Sequence, residues 1–118
     1  MAKSIESRLS LLEIVGSPFC VAIEDGQKVH SEIARAFDEG SVAIVSFLGV
    51  QRLTTAFLNA AIGQLYNEYD EALIKDRLKV SDLEKAEAHL LKKVVDNAKV
   101  FFSNPSRGQS IVKRLTDE

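Results

Sequence analysis

Residues 41–48 read Ser-Val-Ala-Ile-Val-Ser-Phe-Leu, an almost unbroken apolar run. A strand with one wet face alternates; a run without alternation fits a strand covered on both faces. This segment therefore belongs at or near the centre of a sheet, and the rest of the chain has to cover it. Helical repeats stand on both sides. Upstream, Asp25 is placed to cap a helix. Val29, Ile33, Ala36 and Phe37 follow at helical spacing, and Gly40 supplies the stop. Downstream, after a connection at Gly49 to Leu53, the residues Phe57, Leu58, Ala61, Ile62, Leu65, Tyr66 and Tyr69 form one broad apolar stripe. Ser81-Asp82-Leu83-Glu84 reads as a capping box. It opens a third helix that turns Leu83, Ala86, Leu90, Leu91, Val94, Ala98, Phe101 and Phe102 inward until Asn104-Pro105 ends it.

The remaining segments are less regular. Residues 7–15 alternate well enough for a strand, Gly16-Ser17-Pro18 signals a turn, and Phe19 to Ile23 alternates again, so the spacing predicts a hairpin. Leu78 to Val80 predicts a small edge strand. The order is hairpin, helix, buried strand, helix, short strand, helix. That order implies an α/β fold with a mixed sheet of about four strands and three main helices, at 26–39, 54–69 and 82–103. Ile44, Phe47, Leu58, Ile62, Leu90 and Val94 are the expected core. At 118 residues the chain suits one domain, assigned to residues 1–105. A polar tail at 106–118 carries a weak apolar trio, Ile111, Val112 and Leu115.

Composition narrows the function by exclusion. The net charge of −2 argues against a general nucleic-acid or anionic-membrane binder. No apolar stretch approaches the ~20 residues that span a bilayer. The opening Met1-Ala2-Lys3-Ser4-Ile5-Glu6 holds no signal-like apolar core, and the one cysteine, Cys20, fits a reducing compartment, so a cytoplasmic location is expected. Neither Gly-rich phosphate cradle is present. His30 and His89 lie on different helices without a second ligand at i+3 or i+4, and read as surface histidines rather than a zinc site. Cys20, in an apolar strand, reads as a buried, inert thiol. No set of polar residues stands at a recognisable catalytic spacing. The expectation is a non-enzymatic protein without metal or cofactor.

One segment stands out. Thr54 and Thr55 fall where the second helix begins, one of them as its cap. Opposite its apolar stripe lie Ala56, Asn59, Ala60, Gly63 and Asn67, small or amide residues at helical spacing. Glycine costs about 1 kcal/mol against alanine inside a helix, so something approaches Gly63 closely. Another helix of the same domain and a docked partner both account for it.

Three segments carry a resemblance. They are Gly-Val followed by Leu-Thr-Thr-Ala-Phe-Leu-Asn and Gly-Gln-Leu-Tyr; Glu24-Asp25-Gly26-Gln27-Lys28-Val29, with a glycine before the first helix; and the late helix ending Asn97-Ala-Lys-Val-Phe-Phe. Over roughly residues 10–103 the chain resembles the STAS-like family of bacterial proteins, divergent relatives of the sulfate-transporter and anti-sigma-factor-antagonist domains. The resemblance implies a regulatory binding module that switches partners, with a histidine-kinase-type ATPase as the partner class. Antagonist-type domains begin the helix after the central strand with Asp-Ser-Ser-Gly-Leu, and the second serine is phosphorylated. In that register Thr54 stands at the aspartate, Thr55 at the first serine, Ala56 at the phosphorylated serine, Phe57 at the glycine and Leu58 at the leucine. Ala56 has no hydroxyl, which leaves Thr54 and Thr55 as candidate phosphoacceptors. The implied docking surface is centred on Thr54, Thr55, Asn59 and Gly63.

Two alternatives remain open on the residues alone. A small-anion or nucleotide-binding domain would use the helix start at Thr54-Thr55. An accessory protein of a mobile-element or defence system would present a continuous basic face.

Overall fold

The computed structural model describes residues 5–103, and the predicted tail at 106–118 lies outside them. The elements in order are β1 (Ile5–Ser10), α1 (Leu11–Val15), β2 (Phe19–Cys20), α2 (Ile23–Asp38), β3 (Ser41–Ser46) and β4 (Arg52–Leu53). Next come α3 (Thr55–Leu58), a π-helical turn (Asn59–Gly63), α4 (Leu65–Glu68), α5 (Glu71–Arg77), β5 (Leu78–Ser81) and α6 (Lys85–Ser103).

The unbroken apolar run is the central strand. β3 sits between β1 and β5 in a three-stranded sheet. Both ladders are parallel, with Ile5 paired to Ser41 and Ala43 to Leu78 at their starts. A separate two-stranded ladder pairs Phe19 with Arg52 and Cys20 with Leu53, also in parallel. The fold is thus α/β, with parallel pairing throughout the described strands where a mixed sheet was expected. The strand order β1-β3-β5 steps twice in one direction. Right-handed crossovers that step the same way put α2 and the α3–α5 passage on the same face of the sheet.

Burial along β3 follows from this. Ser41, Ala43, Val45 and Phe47 are buried on the helix-covered side, while Val42 and Ile44 are only half-buried. Ile44 is therefore not core: its side chain alternates onto the face opposite the helices. Phe47, Leu58, Ile62 and Val94 are core as expected, together with Val29, Ile33, Phe37, Val45, Phe57 and Leu65. Leu90 packs against it, partly buried.

The predicted hairpin is absent. Ser10 ends β1 and its hydroxyl accepts the Glu13 N–H at 3.1 Å, capping α1. Gly16, at φ 80°, closes that helix with an N–H to the Leu12 carbonyl at 2.9 Å. Residues 11–15 alternate in sequence, but a capping serine and a left-handed glycine a few residues apart define a single short helical stretch. The chain then runs to β2, and the backbone N–H groups of Gln51 and Arg52 reach back to the Pro18 carbonyl.

The main helices keep their predicted places with shifted ends. α2 begins at Ile23 with Ala22 as its cap, so Asp25 lies inside the first turn, where its charge meets the positive end of the helix, and pairs with Lys28 at 3.6 Å. Gly26 is likewise inside α2, not before it. The Ser81-Glu84 capping box does not form, and a single side-chain bond of that kind stands one turn later. The Glu84 N–H donates to the Glu87 carboxylate at 3.0 Å, and Ser81 donates instead to Asp82. On α6, Val94 and Ala98 are buried, but Ala86 and Phe101 are exposed.

Candidate functional site

Thr54 is the N-cap of α3 and its hydroxyl is used in both directions. It accepts the Phe57 N–H at 3.2 Å and donates to the Val21 carbonyl at 3.1 Å. The Thr54 N–H itself donates to the Cys20 carbonyl at 3.2 Å. One side chain thus ties the helix start to the segment after β2. Thr55, the next residue, is exposed.

The helix it opens does not keep an α-helical period. At Asn59–Gly63 the chain makes a π turn, and the Gln64 N–H reaches the Asn59 carbonyl at 3.0 Å. The extra residue rotates the helix beyond it, so the small-residue stripe splits in two. Ala60 faces α2: a methyl built on Gly26 would lie 2.8 Å from the Ala60 Cβ and 2.6 Å from the Phe57 carbonyl oxygen. Gly63 is buried against α6, where its missing methyl would meet Val94 and Ala98 at 3.6 and 3.8 Å. Gly63 therefore does not hold the outer-face position expected of it. Its backbone is approached by α6 of the same chain, and the side of Gly63 that faces α6 is internal packing.

Of the four residues expected to centre the docking surface, Thr55 and Asn59 are the exposed ones, one helical turn apart. Asn59 and the edge of Gly63 open onto a groove of about 240 Å³ between the π turn and α6, whose other walls are Gln64, Asn97, Phe101 and Phe102. The structure therefore brings Asn59 and Gly63 together in the groove, and leaves Thr54 and Thr55 beyond its rim. None of those side chains ionises; the groove offers amides for hydrogen bonding and aromatic rings for apolar contact. A neighbouring cleft of about 200 Å³ lies between Tyr66, Asp70 and Lys99, with Lys99 paired to Glu71 at 3.2 Å.

The other candidates resolve differently. Cys20 is fully buried, and burial, with smaller contributions from Asp25 and Glu87, pushes its thiol up to about 11. A thiol raised that far stays protonated near neutrality and is a poor nucleophile. His30 is not a surface histidine. Its Nε2 lies 3.0 Å from Glu68 and its ring is largely covered, so it links α2 to α4. His89 is exposed on α6. Among the described residues no group of three or more His, Cys, Asp and Glu could hold a metal ion. No described helix is long and apolar enough to cross a membrane.

Two features are not evident from the sequence pattern. Gly26 is the glycine that lets two backbones touch, and a glycine inside a helix was the available signal. Asp82, at φ 61°, accepts from Ser46 at 2.8 Å and Ser81 at 3.1 Å, while Ser46 accepts the Leu48 N–H. It clasps the carboxyl ends of β3 and β5, and nothing in the spacing of those residues announced it.

Comparison with known proteins places this geometry in a family but not in a pathway. Neither the curated proteins nor the solved structures yielded a match. The sequence profile of a family described as a STAS-like domain of unknown function matches residues 25–88, from the first turn of α2 to the first turn of α6. That stretch includes β3, β5, the Thr54 cap and the π turn, more than half of the chain, and the protein belongs to the STAS-like family.

Proposed function

We propose that the protein is a non-enzymatic interaction module of bacterial partner-switching type, and that it docks a histidine-kinase-type ATPase through Thr55, Asn59 and the groove beside α6. The observation that carries this reading is the pairing of an exposed Thr55-Asn59 strip, at the start of the helix after the central strand, with a groove walled by amides and aromatics. Such walls supply hydrogen bonds and apolar area, which suit a protein surface, and no acid–base pair. Within this reading Thr55 is the phosphoacceptor. The Thr54 hydroxyl is already committed as donor and acceptor, whereas Thr55 is exposed at the positive end of the helix.

The test is co-purification of the tagged protein from its own cells, with mass spectrometry of what it retains, for the wild type and for Thr55→Arg and Asn59→Arg. Both sites are exposed, so both variants should melt like the wild type by circular dichroism. An ATPase of this class held by the wild type and lost from both variants is the expected result. A catch unchanged by both substitutions would put the docking surface elsewhere.

A further inference from the structure

We infer that two copies of this chain pair antiparallel through β1, with Ser7 on the two-fold axis, joining their sheets into one. Among the described residues β1 is an edge strand, since β3 pairs with one of its sides and no described strand with the other. Edges normally carry a device against pairing. The opposite edge has one: β5 is four residues long and carries Lys79, whose Nζ bonds the Lys75 carbonyl. β1 is six residues long, and Ile5 is 63% exposed on it.

The charges of β1 are complementary to themselves. Glu6 and Arg8 are both exposed, and neither forms an ion pair with another described residue. Two positions apart, they point to the same face of the sheet. A two-fold axis through an edge strand pairs it antiparallel with its copy. With Ser7 opposite Ser7, Glu6 stands across from Arg8 of the second copy, and Arg8 across from its Glu6. On the other face Ile5 stands across from Leu9, so the exposed isoleucine is covered. Sliding the register by one pleat either way sets Glu6 against Glu6 or Arg8 against Arg8, and like charges directly opposite are destabilising. The strand thus favours one register and disfavours its neighbours. This edge is separate from the Thr55-Asn59 surface, and the inference stands or falls independently of it.

Sedimentation velocity tests it over a concentration series reaching about 1 mM, because a short strand interface is expected at the weak end of association. The wild type should shift from monomer to dimer as concentration rises. Glu6→Arg and Arg8→Glu should each weaken the dimer roughly ten-fold or more, since each puts like charges opposite each other at two symmetric places. An equimolar mixture of the two variants should dimerise again, because the mixed dimer sets two positive side chains of one strand opposite two negative side chains of the other, so both cross-strand pairs are matched. The double variant carrying both reversals should also recover the dimer by itself. A wild type that stays monomeric throughout overturns the inference. So do single reversals that dimerise as the wild type does, or a double variant that remains monomeric.

Discussion

Gly26→Ala isolates the contact between α2 and the helix that opens at Thr54. Alanine in a helix interior is worth about 1 kcal/mol over glycine, so at an open position the change would stabilise the protein. Here the added methyl would sit 2.6 Å from the Phe57 carbonyl oxygen, 2.8 Å from the Ala60 Cβ and 3.3 Å from the Ala61 nitrogen. Two of those three atoms are backbone, so no rotamer change relieves them. The two helices must move apart by several tenths of an ångström along a buried seam that includes Phe57, Leu58 and Ala61. Overpacking of this kind costs about 1–3 kcal/mol, and a backbone clash belongs at the upper end. Set against the helix-propensity gain, the net loss should be about 2 kcal/mol, or a fall in Tm of roughly 8 °C for a domain of this size. Urea titration with an unchanged m-value measures it. Adding Ala60→Gly removes the 2.8 Å contact but leaves the 2.6 Å one, so it should recover only part of the loss. If Gly26→Ala is stabilising, or if Ala60→Gly restores stability fully, the two backbones are not in the close contact described.

Gly63→Ala should be neutral or stabilising by up to about 1 kcal/mol, because its nearest neighbour is the movable Asn59 side chain at 3.1 Å; Gly63→Arg, forced against Val94 and Ala98, should lower Tm sharply or prevent folding. Phe47→Ala should cost about 3–5 kcal/mol and Ile44→Ala about 1–2 kcal/mol in urea titration, since the first side chain is buried and the second half-exposed. Thr54→Ala should cost about 1–2 kcal/mol through loss of the cap, while Thr55→Ala should stay within about 0.5 kcal/mol, both read by thermal melts. Cys20 should react slowly with a thiol reagent at pH 8, its rate rising only as the pH nears the raised thiol value of about 11. The same shift fixes a sign: the neutral buried thiol contributes its full stability below the ordinary value of 9.0, and that contribution fades as the pH climbs towards 11, so stability should fall across that window.

The long periodic elements were legible because burial writes them into the residue pattern. The apolar run at 41–48, the stripe from Val29 to Phe37 and the edge strand beginning at Leu78 all occupy the places expected of them. Short elements were not legible. α1 has five residues, too few for a 3.6-residue period to separate from alternation, and α5, with seven, went unread. The hairpin was misread because a turn signal at Gly16-Ser17-Pro18 says that the chain bends, not where it pairs next, whereas the parallel pairing across the helical crossovers follows from the element order. The π turn explains the partial miss at the candidate site. A stripe drawn at a constant period keeps Asn59 and Gly63 on one outer face, but one inserted residue carries Gly63 inward onto α6 while Asn59 stays at the surface.

The parallel ladders also set how this chain can fold. Ile5 must find Ser41 and Ala43 must find Leu78, so neither ladder can start from a local turn. Each pairing closes a loop spanning a whole helical crossover before its first hydrogen bond forms, and that entropy is lost before any contact repays it. α2 and the passage from Thr55 to Arg77 are therefore expected to be partly helical and docked on one another while β1 and β5 are still unpaired. The Gly26 seam lies in that docking contact. A substitution there should slow refolding as well as speed unfolding, whereas one in β5 should act mainly on the unfolding rate.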